Sequence, residues 1–343
     1  MTSPRIAVVG AGLIGQRHAE HVSRQATLAT LIDPLPAAKK TARDHGAPWH
    51  ADFAAYLASD KPDGVILATP NHLHVEQGLQ AVAAGVPTLI EKPIADESRG
   101  AAQLVEAAEL AGVPLLVGHH RRHGARMARA KQMIDDGLLG DIIAVNAQFW
   151  LYKPNDYFEA EWRTKTGAGP VFINLIHDLD LMRHFCGEVV RVQAMESNRA
   201  RGFEVEDTAA LLMQFASGAL GTISVSDTVV APWSWEMTSA ENPVYPHVET
   251  HAYTIGGTQG GLSIPDLRLW THPNERSWWA QIESELIDAP DCDPIERQIT
   301  HFIDVIAGAA PLVSGREGLR TLRLLEAIKR AAATGETQAV DST

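Results

Sequence analysis

Six residues near the N-terminus constrain this chain more than any others. Gly10-Ala11-Gly12-Leu13-Ile14-Gly15 follows the branched apolar run Ile6–Val9 directly and leads into a helical stretch. The spacing has a mechanical reading. Gly10 permits a tight turn, Gly12 leaves the backbone open to close approach, and Gly15 lets a helix lie against the preceding strand. The helix start, with the backbone of Leu13 and Ile14, then offers unpaired N–H groups and a positive dipole end to phosphate. Asp33 ends the next apolar run, Thr27–Ile32, 23 residues after Gly10. An acid there is placed to accept from a ribose hydroxyl. The pattern predicts a dinucleotide site. Pro34 and Leu35 follow Asp33, with no Arg to hold a 2′-phosphate, so NAD is expected over NADP.

The strand–turn–helix start is the first of several. Val65–Leu67, Thr88–Ile90 and Leu115–Val117 are further short, continuous, branched runs, separated by helical stretches such as 72–84 and 98–111. Runs of this kind suit strands buried on both faces of a parallel sheet. After about residue 120 the texture turns to alternating stretches (142–150, 189–195, 208–215, 220–226, 252–255), which predict a mostly antiparallel sheet. Two helices, 295–306 and 316–332, close the chain, and a loose tail is expected from Thr334. The fold class expected is α/β plus α+β. A Rossmann dinucleotide-binding domain covers 1–120. A substrate-binding and oligomerisation domain with a large open sheet covers 121–343, its helices at about 295–333 packing back toward the first domain. At 343 residues the length agrees with two domains of about 150 residues each.

Composition excludes several partners. With 29 Lys and Arg against 42 Asp and Glu, the formal charge is −13, unsuited to nucleic acid or an anionic membrane. No apolar run approaches the roughly 20 residues of a membrane helix. Met1-Thr2-Ser3-Pro4-Arg5 has no signal-peptide character, so a cytoplasmic protein is expected. Cys186 and Cys292, without a CxxC, supply neither a disulfide framework nor a thiolate metal site.

Three further stretches carry a resemblance. Ala68-Thr69-Pro70-Asn71-His72-Leu73-His74 follows one strand, Glu91-Lys92-Pro93 follows the next, and Phe172–Asp180 opens a helix in the second half. Together with the glycine pattern, Val205–Ala209 and Val313–Gly318, they resemble the glucose-fructose oxidoreductase, inositol dehydrogenase and rhizopine-catabolism family (Gfo/Idh/MocA) over almost the whole chain. The resemblance implies an NAD(P)-dependent oxidoreductase acting on a CH–OH group of a sugar, sugar acid or cyclitol. It implies cofactor contacts from Gly10, Gly12, Leu13, Ile14, Gly15, Asp33, Thr69, Pro70, Asn71, His74, Glu91 and Lys92. It also implies a homodimer or homotetramer through the open sheet.

Lys92 and His177 are the catalytic candidates. Lys92 stands just past a strand's C-terminal end, where open α/β sheets bind ligands, and is expected to support a developing alkoxide. His177 is expected to take the hydroxyl proton, since imidazole titrates near working pH. Asn174, His177 and Asp180 fall three apart and should share a helical face. Many family members carry Asp four residues before this His; here that position is Ile173. Arg121, in the basic run His119–His123, is expected to contact substrate, as are Lys153, Arg163, Asn174, His177 and Asp180. No metal is expected, because neither His119 with His123 nor His177 with its acids has a predictable ligand set. Two alternative functions stay open: an NAD-dependent glycoside hydrolase of the same family, and a non-catalytic NAD or sugar sensor.

Overall fold

The five branched runs of the first 118 residues each form a strand, because their continuous apolar character suits burial on both faces. The computed structural model describes residues 3–341. Met1 and Thr2, which begin the N-terminal segment read above, and Ser342 and Thr343, which end the expected tail, lie outside the described residues. The first sheet comprises β1 (Arg5–Val9), β2 (Thr27–Ile32), β3 (Trp49–His50), β4 (Gly64–Leu67), β5 (Thr88–Ile90) and β6 (Leu115–Val117). All pairings are parallel, in the order β3-β2-β1-β4-β5-β6. Helices α1 (Leu13–Gln25), α2 (Ala38–Asp44), α3 (Phe53–Ser59), α4 (His74–Ala83) and α5 (Ser98–Ala111) link them. The strand order reverses between β1 and β4. At such a switch point the C-terminal strand ends open a crevice for ligands.

The compact unit around this sheet takes in residues 1–123 and 293–322. The second unit takes in 124–292 and 323–343. It contains α6 (Ala125–Asp135), α7 (Pro170–Ile173), α8 (Leu175–Cys186) and α9 (Trp235–Thr238). The helix α10 (Pro294–Ile306) belongs to the first unit. Asp293 caps it, accepting from the N–H groups of Ile295 and Glu296. Ile299, Phe302 and Val305, three residues apart, enter the same core as Val8, Ala19, Val22, Leu31 and Ile66. The helix α11 (Gly315–Thr334) starts beside β6. Val117 N–H donates to the Val313 carbonyl at 3.0 Å. Gly315 and Gly318 rest on Leu115 and Val117 so closely that an added Cβ would collide.

In the second unit the alternating stretches form β7 (Ile142–Trp150), β8 (Val189–Ser197), β9 (Thr208–Phe215), β10 (Leu220–Ser226), β11 (Tyr253–Gly257), β12 (Gly260–Ile264), β13 (Arg268–Thr271), β14 (Glu283–Leu286) and β15 (Gln338–Ala339). Their order is β14-β13-β12-β11-β7-β10-β9-β8-β15. Every pairing is antiparallel except β7 with β10. One face buries Val145, Phe149, Leu211, Met213, Phe215 and Val225, while α8, apolar on most sides, is itself buried almost throughout. The other face leaves Met195, Leu212, Leu220 and Trp270 exposed. Among the described residues no helix is long and apolar enough to cross a membrane.

The loose tail expected from Thr334 is corrected. Residues 338 and 339 pair with Val192 and Arg191 of β8, and Val340 N–H donates to the Val190 carbonyl at 3.0 Å. A sheet edge presents unpaired ladder groups, and even two residues satisfy some of them.

Because α10 completes the core beneath β1, β2 and β4, Phe302→Ala should cost about 3–5 kcal/mol. Urea unfolding followed by circular dichroism measures it, as a lower midpoint for the first unit.

Candidate active site

The glycine turn divides its labour as the pattern predicts. Gly10 has φ +96°, and a Cβ there would strike the carbonyl of Ala68. A Cβ on Gly15 would strike the carbonyl of Gly10. At Gly12, by contrast, nothing among the described residues lies within 4 Å of where a Cβ would stand. Gly12 caps α1 and brings no side chain of its own to the first-turn N–H groups of Leu13 and Ile14. Asp33 Oδ2 accepts from Ala11 N–H and Oδ1 from Leu35 N–H, each at 2.8 Å. Its carboxylate is thereby held beside the turn, with lone pairs to spare. An open cradle, helix N–H groups and a fixed acid fit a dinucleotide.

Two buried histidines hold the loops after β4 and β5. His74 lies with Nδ1 2.9 Å from the Pro93 carbonyl and Nε2 2.8 Å from the Thr69 carbonyl. Burial lowers its pKa, against the pull of those two carbonyls. Thr69 Oγ1 donates to Gln77 at 2.6 Å, while Pro70 is exposed and Asn71 half-buried. Glu91 is turned inward, its Oε1 2.7 Å from His18 Nε2 on α1. Burial works to raise the Glu91 carboxyl, but His18 outweighs it and holds the pKa down at about 2. Lys92 N–H donates to Glu91 Oε2 at 3.2 Å. Lys92 is half-buried, between a residue anchored by His18 and one anchored by His74.

The basic run His119–His123 carries less charge than it promises. Burial first, then neighbouring cations, push the pKa values of His120 and His123 down to about 3. His123 packs on the His301 ring, and Arg122 pairs with Glu317 at 3.2 Å. Arg121 is 3% exposed.

In the second unit the expected helix from Phe172 is interrupted. The short α7 ends at Ile173, Asn174 stands at the junction, and α8 runs from Leu175. The continuous helix read over 172–180 is therefore corrected: Asn174 flanks the helix that carries His177 and Asp180. His177 is buried, and Asp180 is 1% exposed. Asp178 accepts from the Tyr253 hydroxyl. Lys153, expected in a loop, is 6% exposed and donates to Asn174 Oδ1 at 2.7 Å. Its Nζ lies 3.9 Å from Asp227 and 4.8 Å from the Tyr157 ring centre. Burial lowers its pKa to about 8. Arg163 Cζ lies 4.1 Å from the same ring, and its Nη1 donates to the Tyr157 carbonyl at 2.6 Å.

Sequence reasoning missed Arg201, Asp227 and Tyr157. Arg201 Nε donates to Asp227 at 2.7 Å and its Nη2 to the Lys153 carbonyl at 2.8 Å. Asp207 accepts from the N–H groups of Ala200 and Arg201, which sets that loop, and Glu206 accepts from Val171 N–H at the start of α7. Only the Val205–Ala209 stretch hinted at them, since Lys153, Arg201 and Asp227 are brought together by separate strands.

Two family models match the chain: an NAD-binding Rossmann oxidoreductase domain over residues 4–119 and a GFO/IDH/MocA C-terminal domain over 127–263. The chain belongs to the GFO/IDH/MocA family. It is an NAD-dependent oxidoreductase of that family. The rhizopine catabolism protein MocA of Rhizobium meliloti is 29% identical over 233 residues, covering 66% of this chain and 72% of the relative. D-apiose dehydrogenase of Paraburkholderia graminis is 27% identical over 353 residues, 96% of this chain and 88% of that enzyme. The WlbA dehydrogenase of Bordetella pertussis, solved with NADH and UDP-GlcNAcA, superposes with a TM-score of 0.81 at 27% identity over 99% of both chains.

The glycines of this GFO/IDH/MocA member should separate cleanly. Gly12→Ala should leave the melting temperature within a few degrees but weaken NAD binding at least tenfold, because its methyl enters the open cradle. Gly15→Ala should lower the melting temperature outright, because its methyl meets the Gly10 carbonyl. Thermal unfolding alongside NADH fluorescence titration checks both.

Proposed function

We propose that this chain oxidises a hydroxyl of a sugar, sugar acid or cyclitol, with Lys92 and His177 acting on the reacting group. The observation that carries the reading is the bracing of Lys92: Glu91 before it is anchored by His18 and Pro93 after it by His74. A lysine that merely solvates a loop needs no such support. The substrate class is supported by relatives named for D-apiose and inositol, and by WlbA with its bound nucleotide sugar acid.

The glycine turn and the backbone of Leu13 and Ile14 would hold the pyrophosphate, Asp33 the adenosine ribose, and Thr69, Pro70 and Asn71 the crevice wall. Bound NAD supplies the hydride acceptor. His177 takes the proton from the substrate hydroxyl. Lys92 donates to the same oxygen as it gains alkoxide character, and its ammonium stabilises that charge. Each backbone is held by packed elements of its own unit, and positioning is the protein's main contribution.

His177→Ala should lower kcat by roughly 10²–10⁴ with little change in NAD affinity. Lys92→Ala should lower kcat as well, and the double variant should lose less than the two effects combined. Absorbance of the reduced nicotinamide over a panel of pentoses, hexoses, inositols and aldonates reads these rates. Near-normal kcat in His177→Ala overturns the assignment.

We also propose that the sheet face bearing Met195, Leu212, Leu220 and Trp270 is covered by a second copy of the chain, in a dimer or tetramer. Exposed large apolar residues gathered on one face are uncommon in a monomer. Leu212→Glu should shift the sedimentation velocity toward the monomer; an unchanged or already monomeric profile counts against this.

A further inference from the structure

The site of the second unit presents donors where a neutral polyol would need both donors and acceptors. Lys153 donates to Asn174 Oδ1, which fixes the amide orientation and leaves the Nδ2 hydrogens as the end Asn174 can offer. Ile173, half-exposed beside it, contributes methyl groups where an acid would have brought an acceptor. Arg163 forms no ion pair among the described residues. One nitrogen is spent on the Tyr157 carbonyl, and its Nε is buried without a partner.

The charges point the same way. Lys153 and Arg163 lie 4.8 and 4.1 Å from the Tyr157 ring centre, so they are at most 8.9 Å apart. Asp227 is the one carboxylate within 4 Å of Lys153 among the described residues, and Arg201 already holds it at 2.7 Å. Glu236 acts on Lys153 from further away, and Glu206 does so while paired to Lys329. Arg163 is the cation of this group that no carboxylate pairs with among the described residues, since Asp227 is taken by Arg201, Glu206 by Lys329, and Asp207 by the N–H groups of Ala200 and Arg201. A carboxylate accepts only, and its two oxygens match the planar guanidinium fork.

We infer that this site receives a carboxylate, held by Arg163 with Lys153 and Asn174, and that the substrate is a sugar acid rather than a neutral sugar or cyclitol. The inference rests on the dehydrogenase reading above and narrows its substrate class. It also accounts for the cost of burying Lys153. Burial works against its charge, and an anion alongside restores what desolvation removes.

The test uses the full-length protein loaded with NADH and matched probes: D-gluconate against sorbitol, D-glucuronate against D-glucose, and D-glucose 6-phosphate. Calorimetric binding and, with NAD, the rate of nicotinamide reduction are both measured. At least one acid should bind about tenfold or more tightly than its neutral partner. Arg163→Gln should remove most of that preference, Arg163→Lys only part of it, and unchanged NADH affinity shows that each variant is folded. Neutral partners that bind as well as the acids overturn the inference while leaving the dehydrogenase reading standing. Tighter binding of the phosphate ester overturns it too. An acid preference that Arg163→Gln leaves intact removes Arg163 from the site and also overturns it. If an acid binds preferentially but nothing reduces NAD, the dehydrogenase reading fails and the carboxylate site stands.

Discussion

The carbonyl of Gly10 faces the α-carbon of Gly15 with no room for a methyl group, and this contact seats α1 against the sheet. Its consequences run outward. With α1 seated there, His18 on its next turn meets Glu91 at the end of β5. Glu91, buried and charged, needs that partner, because an unpaired carboxylate in the interior is costly. His74 does the equivalent for the neighbouring loop by touching both the Thr69 and Pro93 carbonyls. The backbone on either side of Lys92 is therefore set by packing that begins at a hydrogen atom on Gly15.

The second unit supports its site by different means. Strand alternation turns Leu211, Met213 and Phe215 inward, and the buried α8 lies in the same unit. Polar residues at strand ends then do the fine positioning. Asp207 gathers two backbone N–H groups and so places Arg201, which in turn grips Asp227 and the Lys153 carbonyl. Glu206 caps α7 and receives Lys329 from α11. Each of these contacts is buried or half-buried, and together they hold the geometry around Lys153 and Asn174.

What the residues disclosed before the structure follows from how local each signal is. The runs Ile6–Val9, Thr88–Ile90, Thr208–Phe215 and Leu220–Ser226 appear as strands because hydrophobic continuity and alternation are written in consecutive residues. The glycine turn is legible for the same reason, and so is Asp33, which acts on N–H groups in its own βαβ unit. Trp49–His50 and Gln338–Ala339 are too short to leave a period, so β3 and β15 went unread. The break at Asn174 also left no local mark. The contacts of Lys153 with Asn174, and of Arg201 with Asp227, join residues from different elements, and no spacing rule connects such positions. The stretch His119–His123 misleads in the opposite direction: a row of basic letters implies charge, but burial leaves His120 and His123 neutral.

The first unit leaves its own stretch of chain at His123 and resumes at Asp293. A chain made from the N-terminus therefore exposes the underside of β1, β2 and β4 throughout synthesis of residues 124–292. Only when α10 emerges do Ile299, Phe302 and Val305 arrive to cover that surface. Vectorial synthesis usually lets N-terminal domains fold first. Here the first unit waits for α10 and the second for residues 323–343, so the nucleotide-binding half is completed only by a segment that the ribosome delivers near the end, and the second unit after it.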